Sequence, residues 1–153
     1  MQQSAARSSF APQAVADLPD GLVIFDGECV LCSAWVKFIL PRDSQQRFRF
    51  ASIQRVPGRD IAVRLGIDPD APATNAVIVD GVAYFKSDSA LAVLQQLDGW
   101  RWTRALRICP RLVRDWIYDR IARNRYTLFG RTGSCMVPTA EHAARFLDQR
   151  SPR

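Results

Sequence analysis

Two thiols three residues apart stand where a strand gives way to a helix. Cys29 and Cys32 lie in the run Val23-Ile24-Phe25-Asp26-Gly27-Glu28-Cys29-Val30-Leu31-Cys32-Ser33. A β-branched apolar stretch enters, Asp-Gly turns the chain, and an apolar run of helical length follows. The first thiol therefore falls at a helix start, where unpaired N–H groups and the helix dipole favour negative charge. The thiolate is the form that attacks disulfides and binds metals. The C-x-x-C spacing sets the two sulfurs one turn apart, so they can bridge each other or share an ion.

The bulk of the sequence bounds the setting. The chain has 153 residues, 48% hydrophobic and 24% charged, which is enough for one globular core. Four cysteines are too few for a disulfide framework. The N-terminal residues lead into no apolar signal segment, and the longest apolar run, Val30 to Leu40, is too short to span a bilayer. The expectation is a cytoplasmic, reducing compartment, in which a C-x-x-C pair points to redox or metal chemistry. Charge is polarised along the chain: residues 1–99 carry a net of −2 and residues 100–153 a net of +8.

The elements that must hold the pair follow from periodicity and breakers. Residues 1–20 read as a flexible leader. A strand over Gly21 to Phe25 precedes a helix from Cys29 to Leu40, which Pro41 stops. Arg47 to Ala51 alternates as a half-buried strand. A short helix from Arg59 to Leu65 ends at Gly66. Ala76 to Val79 and Val82 to Phe85 form a hairpin around Asp80-Gly81. Ser87 is a candidate cap for a helix from Asp88 to Leu97. The order β-α-β-α-β-β-α, with C-x-x-C after the first strand, is that of an α/β, thioredoxin-like fold: a mixed four-stranded sheet flanked by helices. A helical C-terminal extension follows. In it Leu112, Val113, Trp116, Ile117 and Ile121 share one face, expected to pack on the sheet. Residues 139–153 read as a short helical tail, capped at Thr139 and carrying Ala143, Phe146 and Leu147.

Three separated blocks resemble the DCC family of predicted thiol-disulfide oxidoreductases. They are Asp26 to Cys32; Lys86-Ser87-Asp88-Ser89-Ala90; and Tyr118 to Tyr126 followed by Phe129-Gly130-Arg131 and Cys135. They occur in the family's order, and the likeness covers about Gly21 to Pro138. The resemblance implies a thioredoxin-like domain over 21–138 and less about chemistry. One departure stands out. Ordinary thioredoxins carry a cis-proline just before the third strand, whereas Ala73-Thr74-Asn75 occupies that place here and Pro72 lies upstream; either Pro72 or Thr74 could take the role.

Each candidate residue has a plainer alternative. Cys29 and Cys32 could be two small buried residues, but helix-start placement after a strand favours redox use, with Cys29 the more exposed nucleophile and Cys32 the resolving thiol. Glu28 beside Cys29 should oppose the thiolate. Asp26 is either a proton acceptor or a turn residue. Ser87 and Asp88 read as a helix cap, with an accessory site role as the alternative. Cys135 is a third redox thiol, a metal ligand or a packing residue. A zinc site from Cys29, Cys32, Cys135 and His142 is chemically allowed, yet the lone histidine and the missing second C-x-x-C argue against it. Cys109 reads as core. The stretch from Arg101 to Arg125 holds eight arginines and two aspartates. Such charge attracts nucleic acid or an anionic membrane. No nucleic-acid module accompanies it, and the expectation is a solvated face with Arg111–Asp115 and Asp119–Arg123 pairs over a tryptophan core.

The sequence thus points to a thiol-disulfide oxidoreductase without metal or cofactor. It acts on protein or small-molecule disulfides and draws on an electron donor that the residues do not identify. The alternative is a non-enzymatic thioredoxin-like binding module whose cysteines are structural or hold a metal.

Overall fold

The computed structural model describes residues 11–130 and 143–147. Five strands form one mixed sheet: β1 (Gln13–Ala14), β2 (Leu22–Phe25), β3 (Arg49–Ser52), β4 (Ala76–Val79) and β5 (Val82–Phe85), in the order β1-β5-β4-β2-β3. Only β2 and β3 run parallel, and α1 (Val30–Arg42) crosses between them. The β4–β5 hairpin pairs Val79 with Val82 across Asp80 and Gly81, both at positive φ (53° and 77°). That backbone is the tight primed turn that an Asp-Gly pair favours. The fifth strand comes from the stretch read as a leader. Two residues, both exposed, give no alternation to detect, yet they pair with Val82 and Ala83 and carry the buried Val15 behind them.

Alternation along the strands divides the core into two halves. Val23, Phe25, Val77 and Val79 pack with Val36 and Ile39 of α1 and with Val93 of α3 (Lys86–Leu94). Leu22, Ile24, Ala76 and Ile78 point the other way, onto Ala62 of α2 (Gly58–Arg64) and Leu65 just after it. A central strand buried on both faces carries no polar residue, and β2 and β4 have none.

Several boundaries move. Helix α1 runs through Pro41 to Arg42, because a proline in the last turn forfeits only one bond and the Asp43 N–H still reaches the Ile39 carbonyl at 2.9 Å. Helix α3 begins at Lys86, so Ser87 lies inside its first turn and is not its cap. Residues 101–108 form a 3-10 helix, and Cys109 after it is half-buried where core was expected. The tail is a 3-10 turn over Ala143–Arg145, followed by Phe146, which bridges to Phe50 and is buried. Thr139, the expected cap, lies outside the described residues.

The largest correction concerns α4 (Arg111–Leu128). Its apolar face was expected on the sheet. Instead Leu112, Trp116 and Ile117 are 84%, 62% and 49% exposed, and Trp102 is also exposed. The polar face turns inward. Arg114 binds Asp88 at 2.9 Å, Asp115 accepts from Ser87 Oγ at 2.5 Å, and Asp119 pairs with Lys86 at 2.9 Å. These aspartates therefore serve α3 and not the helix's own arginines. The domain presents half-buried polar groups at the start of α3, and leaving such groups unpaired costs about 1–3 kcal/mol each. Each exposed leucine or isoleucine forgoes about 1.5–3 kcal/mol of burial. The inward face of α4 is thus the one whose polar groups α3 pairs, at the cost of leaving the apolar face open.

Candidate functional site

The site forms at the carboxyl end of β2. Asp26 follows the strand directly and is 1% exposed. Its Oδ1 accepts from Glu28 N at 3.0 Å and from Gln54 Nε2 at 2.6 Å. Gln54 in turn accepts from Gly27 N at 2.8 Å and from Ser52 Oγ at 2.7 Å. The turn is thereby clamped to β3, and Cys29 arrives in extended geometry (φ −86°, ψ 124°) as the N-cap of α1. Its sulfur takes the place of the usual capping oxygen and accepts the Cys32 N–H at 3.3 Å.

That arrangement separates the two thiols. The Cys29 thiol is lowered from its ordinary 9.0 to about 6. The largest cause is the hydrogen bond from the Cys32 thiol; burial opposes it, while the Cys32 N–H and the Arg125 charge add to it. The carboxylate that works against it is Asp26, not the Glu28 expected. Cys32 is pushed up, because it donates that hydrogen bond, because it is buried, and because a charged Cys29 would repel its own thiolate. The expectation that Cys29 is exposed is not met: both thiols are buried. The chain after α4 closes over the helix start, with Val30 N 3.4 Å from the Gly130 carbonyl.

The last turns of α4 complete the site. Arg125 is buried; its Nη2 donates to the Pro72 carbonyl at 2.6 Å and lies 3.4 Å from Asp26 Oδ2. The Tyr126 hydroxyl donates to the same carboxylate oxygen. Before β4, Thr74 is buried and its hydroxyl accepts from Lys86 N at 2.7 Å, while Asn75 N donates to Tyr118 Oη at 3.1 Å. Burial pushes the Tyr118 hydroxyl up to about 12, so it stays neutral. The cis peptide among the described residues is Val56–Pro57, away from this segment. Pro72 does not follow a cis peptide bond, and it contributes its carbonyl to Arg125.

A cavity of about 400 Å³ opens beside Cys32. Leu31, Cys32 and Trp35 form its α1 wall; Tyr118, Ile121 and Arg125 are among its α4 wall. Apolar side chains dominate, with Arg125 as the charged group. Among the expected residues, the structure brings Asp26, Cys29 and Cys32 together. Ser87 and Asp88 face Arg114 at the α3–α4 contact and do not line the cavity. Cys135 and His142 lie outside the described residues, and among the described residues no cluster of three metal-ligating side chains occurs. Gln54, Tyr118, Arg125 and Tyr126 were not singled out from the sequence. The signal that could have found the last three was the Tyr118 to Tyr126 block, which the family resemblance carried without roles.

Comparison with known proteins finds one family. A family model described as DCC1-like thiol-disulfide oxidoreductase matches residues 23–131. An uncharacterized protein of Bacillus subtilis (strain 168), YuxK, is 37% identical over 131 residues, covering 85% of this chain and 96% of that protein. The DCC family protein At1g52590, chloroplastic, of Arabidopsis thaliana is 33% identical over 116 residues, covering 74% of this chain and 67% of that protein. No solved structure matches.

Proposed function

The chain belongs to the DCC1-like thiol-disulfide oxidoreductase family, and we propose that it exchanges thiols and disulfides through Cys29 and Cys32. The observation that carries this reading is the Cys32-to-Cys29 hydrogen-bond arrangement, which lowers the Cys29 thiol to about 6. At neutral pH Cys29 is then a thiolate. It attacks one sulfur of a substrate disulfide; the S–S bond breaks, and the leaving sulfur takes a proton from solvent. Cys32 loses its proton and attacks the Cys29 sulfur of the mixed disulfide. The second substrate thiol leaves, and a Cys29–Cys32 disulfide remains. We assign Asp26 as the acceptor of the Cys32 proton from its electrostatic influence on both thiols. Its oxygens already take hydrogen bonds from Glu28, Gln54, Arg125 and Tyr126, so one of these must yield for the transfer. A dithiol reductant returns the pair to its starting state.

The substrates are protein or small-molecule disulfides, and the reducing cytoplasm suits a pair that begins as free thiols. The role of Cys135 as a third thiol is tested separately. If the oxidised protein carries a lone Cys29–Cys32 bridge and Cys135→Ser turns over normally, Cys135 is a packing residue.

The decisive experiment traps the intermediate. Cys32→Ser should accumulate a mixed disulfide on Cys29, identified by mass spectrometry, and Cys29→Ser should abolish reduction of a model disulfide. Normal turnover by Cys29→Ser would overturn the assignment. Stoichiometric metal in the purified protein would favour the non-enzymatic alternative.

A further inference from the structure

We propose that the outward face of α4 is a docking surface for an anionic lipid bilayer. With 3.6 residues per turn, Leu112, Val113, Trp116, Ile117, Ile121 and Leu128 fall on one side of the helix, and all are exposed. A contiguous exposed apolar face on a helix whose other side is docked marks an interaction site.

Charge selects the occupant. Arg120 and Arg123 lie on the same outward side, and Arg120 sits over the Trp116 ring with its guanidinium carbon 5.3 Å from the ring centre. Arg101, Arg104 and Arg107 are exposed in the 3-10 helix just before. Both acids between 101 and 128 are turned inward and half-buried, Asp115 on Ser87 and Asp119 on Lys86. The outward face is therefore apolar and cationic, with no acid of its own segment. A second copy docked face to face would set arginines against arginines without compensation. Nucleic acid would satisfy the arginines and strand the leucines and isoleucines in contact with water and phosphate. A bilayer with anionic headgroups meets both demands: tryptophan and aliphatic side chains enter the interface, and arginines reach the headgroups. Among the described residues no helix is long and apolar enough to cross a membrane, so the contact is a peripheral one.

The face is also continuous with the site. Ile121 is exposed on it and lines the cavity beside Cys32. Docking would bring that cavity to the membrane surface.

The test uses the full chain and sedimentable vesicles of phosphatidylcholine, with and without phosphatidylglycerol. The expected result is co-sedimentation with the anionic vesicles and not with the neutral ones, weakened at about 0.5 M salt, where charges are screened beyond about 4 Å. Trp116→Ser with Ile117→Ser, and Arg120→Gln with Arg123→Gln, should each lower affinity about tenfold or more. All four positions are exposed, so both variants should keep the wild-type unfolding midpoint. Absence of binding to anionic vesicles overturns the proposal. So does binding that survives the loss of Trp116 and Ile117, which is adsorption by charge alone. A concentration-dependent dimer in sedimentation velocity that the apolar variant dissolves would assign the face to a second copy and equally overturn it.

Discussion

Arg125 Nη2 lies 3.4 Å from Asp26 Oδ2, joining two residues separated by 99 positions in the chain. The contact ties the end of α4 to the turn that presents Cys29. It gives Arg125 two consequences, one for stability and one for reactivity.

Removing Arg125 leaves the Asp26 carboxylate buried without its cation. Arg125→Met should destabilise the fold by about 3–5 kcal/mol, as for a broken buried pair. Urea unfolding followed by circular dichroism checks this; a midpoint within error of wild type would show that Gln54 and Tyr126 suffice for Asp26.

The reactivity of Cys29 should have its midpoint near pH 6, read from iodoacetamide labelling of the Cys29 peptide. Cys32→Ala removes the largest lowering cause and should move the midpoint upward. Arg125→Gln should also raise it, whereas Asp26→Asn should lower it, since Asp26 opposes the thiolate. An Asp26→Asn shift in the upward direction would contradict the arrangement of charges.

The same thiol links stability to pH. Its folded value, about 6, is depressed below the ordinary 9.0. Its contribution is therefore fully present above pH 9 and lost as pH falls through 6. Wild type minus Cys29→Ser, measured by denaturant titration across that window, should shrink as the solution is acidified. A constant difference would mean that the thiol titrates alike in both states.

Trp116→Ala should leave stability within about 0.5 kcal/mol of wild type, because the ring is on the surface. Phe146→Ala, by contrast, should cost about 3–5 kcal/mol. That ring is 2% exposed and packs on Phe25 and Phe50, with centroids 6.2 and 5.3 Å away. Paired denaturation curves decide both; a large loss for Trp116→Ala would place that ring in the core after all.

The sequence by itself determined the strand–turn–helix around Cys29, the Asp-Gly hairpin and the α/β class, because each rests on neighbours in the chain. Apolar runs, turn residues and a helix-start thiol act locally, and three family-like blocks fixed their order. The partners of Asp26 were another matter. Gln54 and Arg125 stand 28 and 99 positions away, and only the packing of β3 and α4 against the β2 turn brings them in. The face of α4 was likewise undecidable from periodicity, which shows that a helix has two faces but not which one docks. Tertiary structure decided that, since Lys86, Ser87 and Asp88 present polar groups that Arg114, Asp115 and Asp119 satisfy. The burial of both thiols was equally beyond the sequence, because the chain meets the start of α1 again, with Val30 N 3.4 Å from the Gly130 carbonyl, only after the whole sheet has been built.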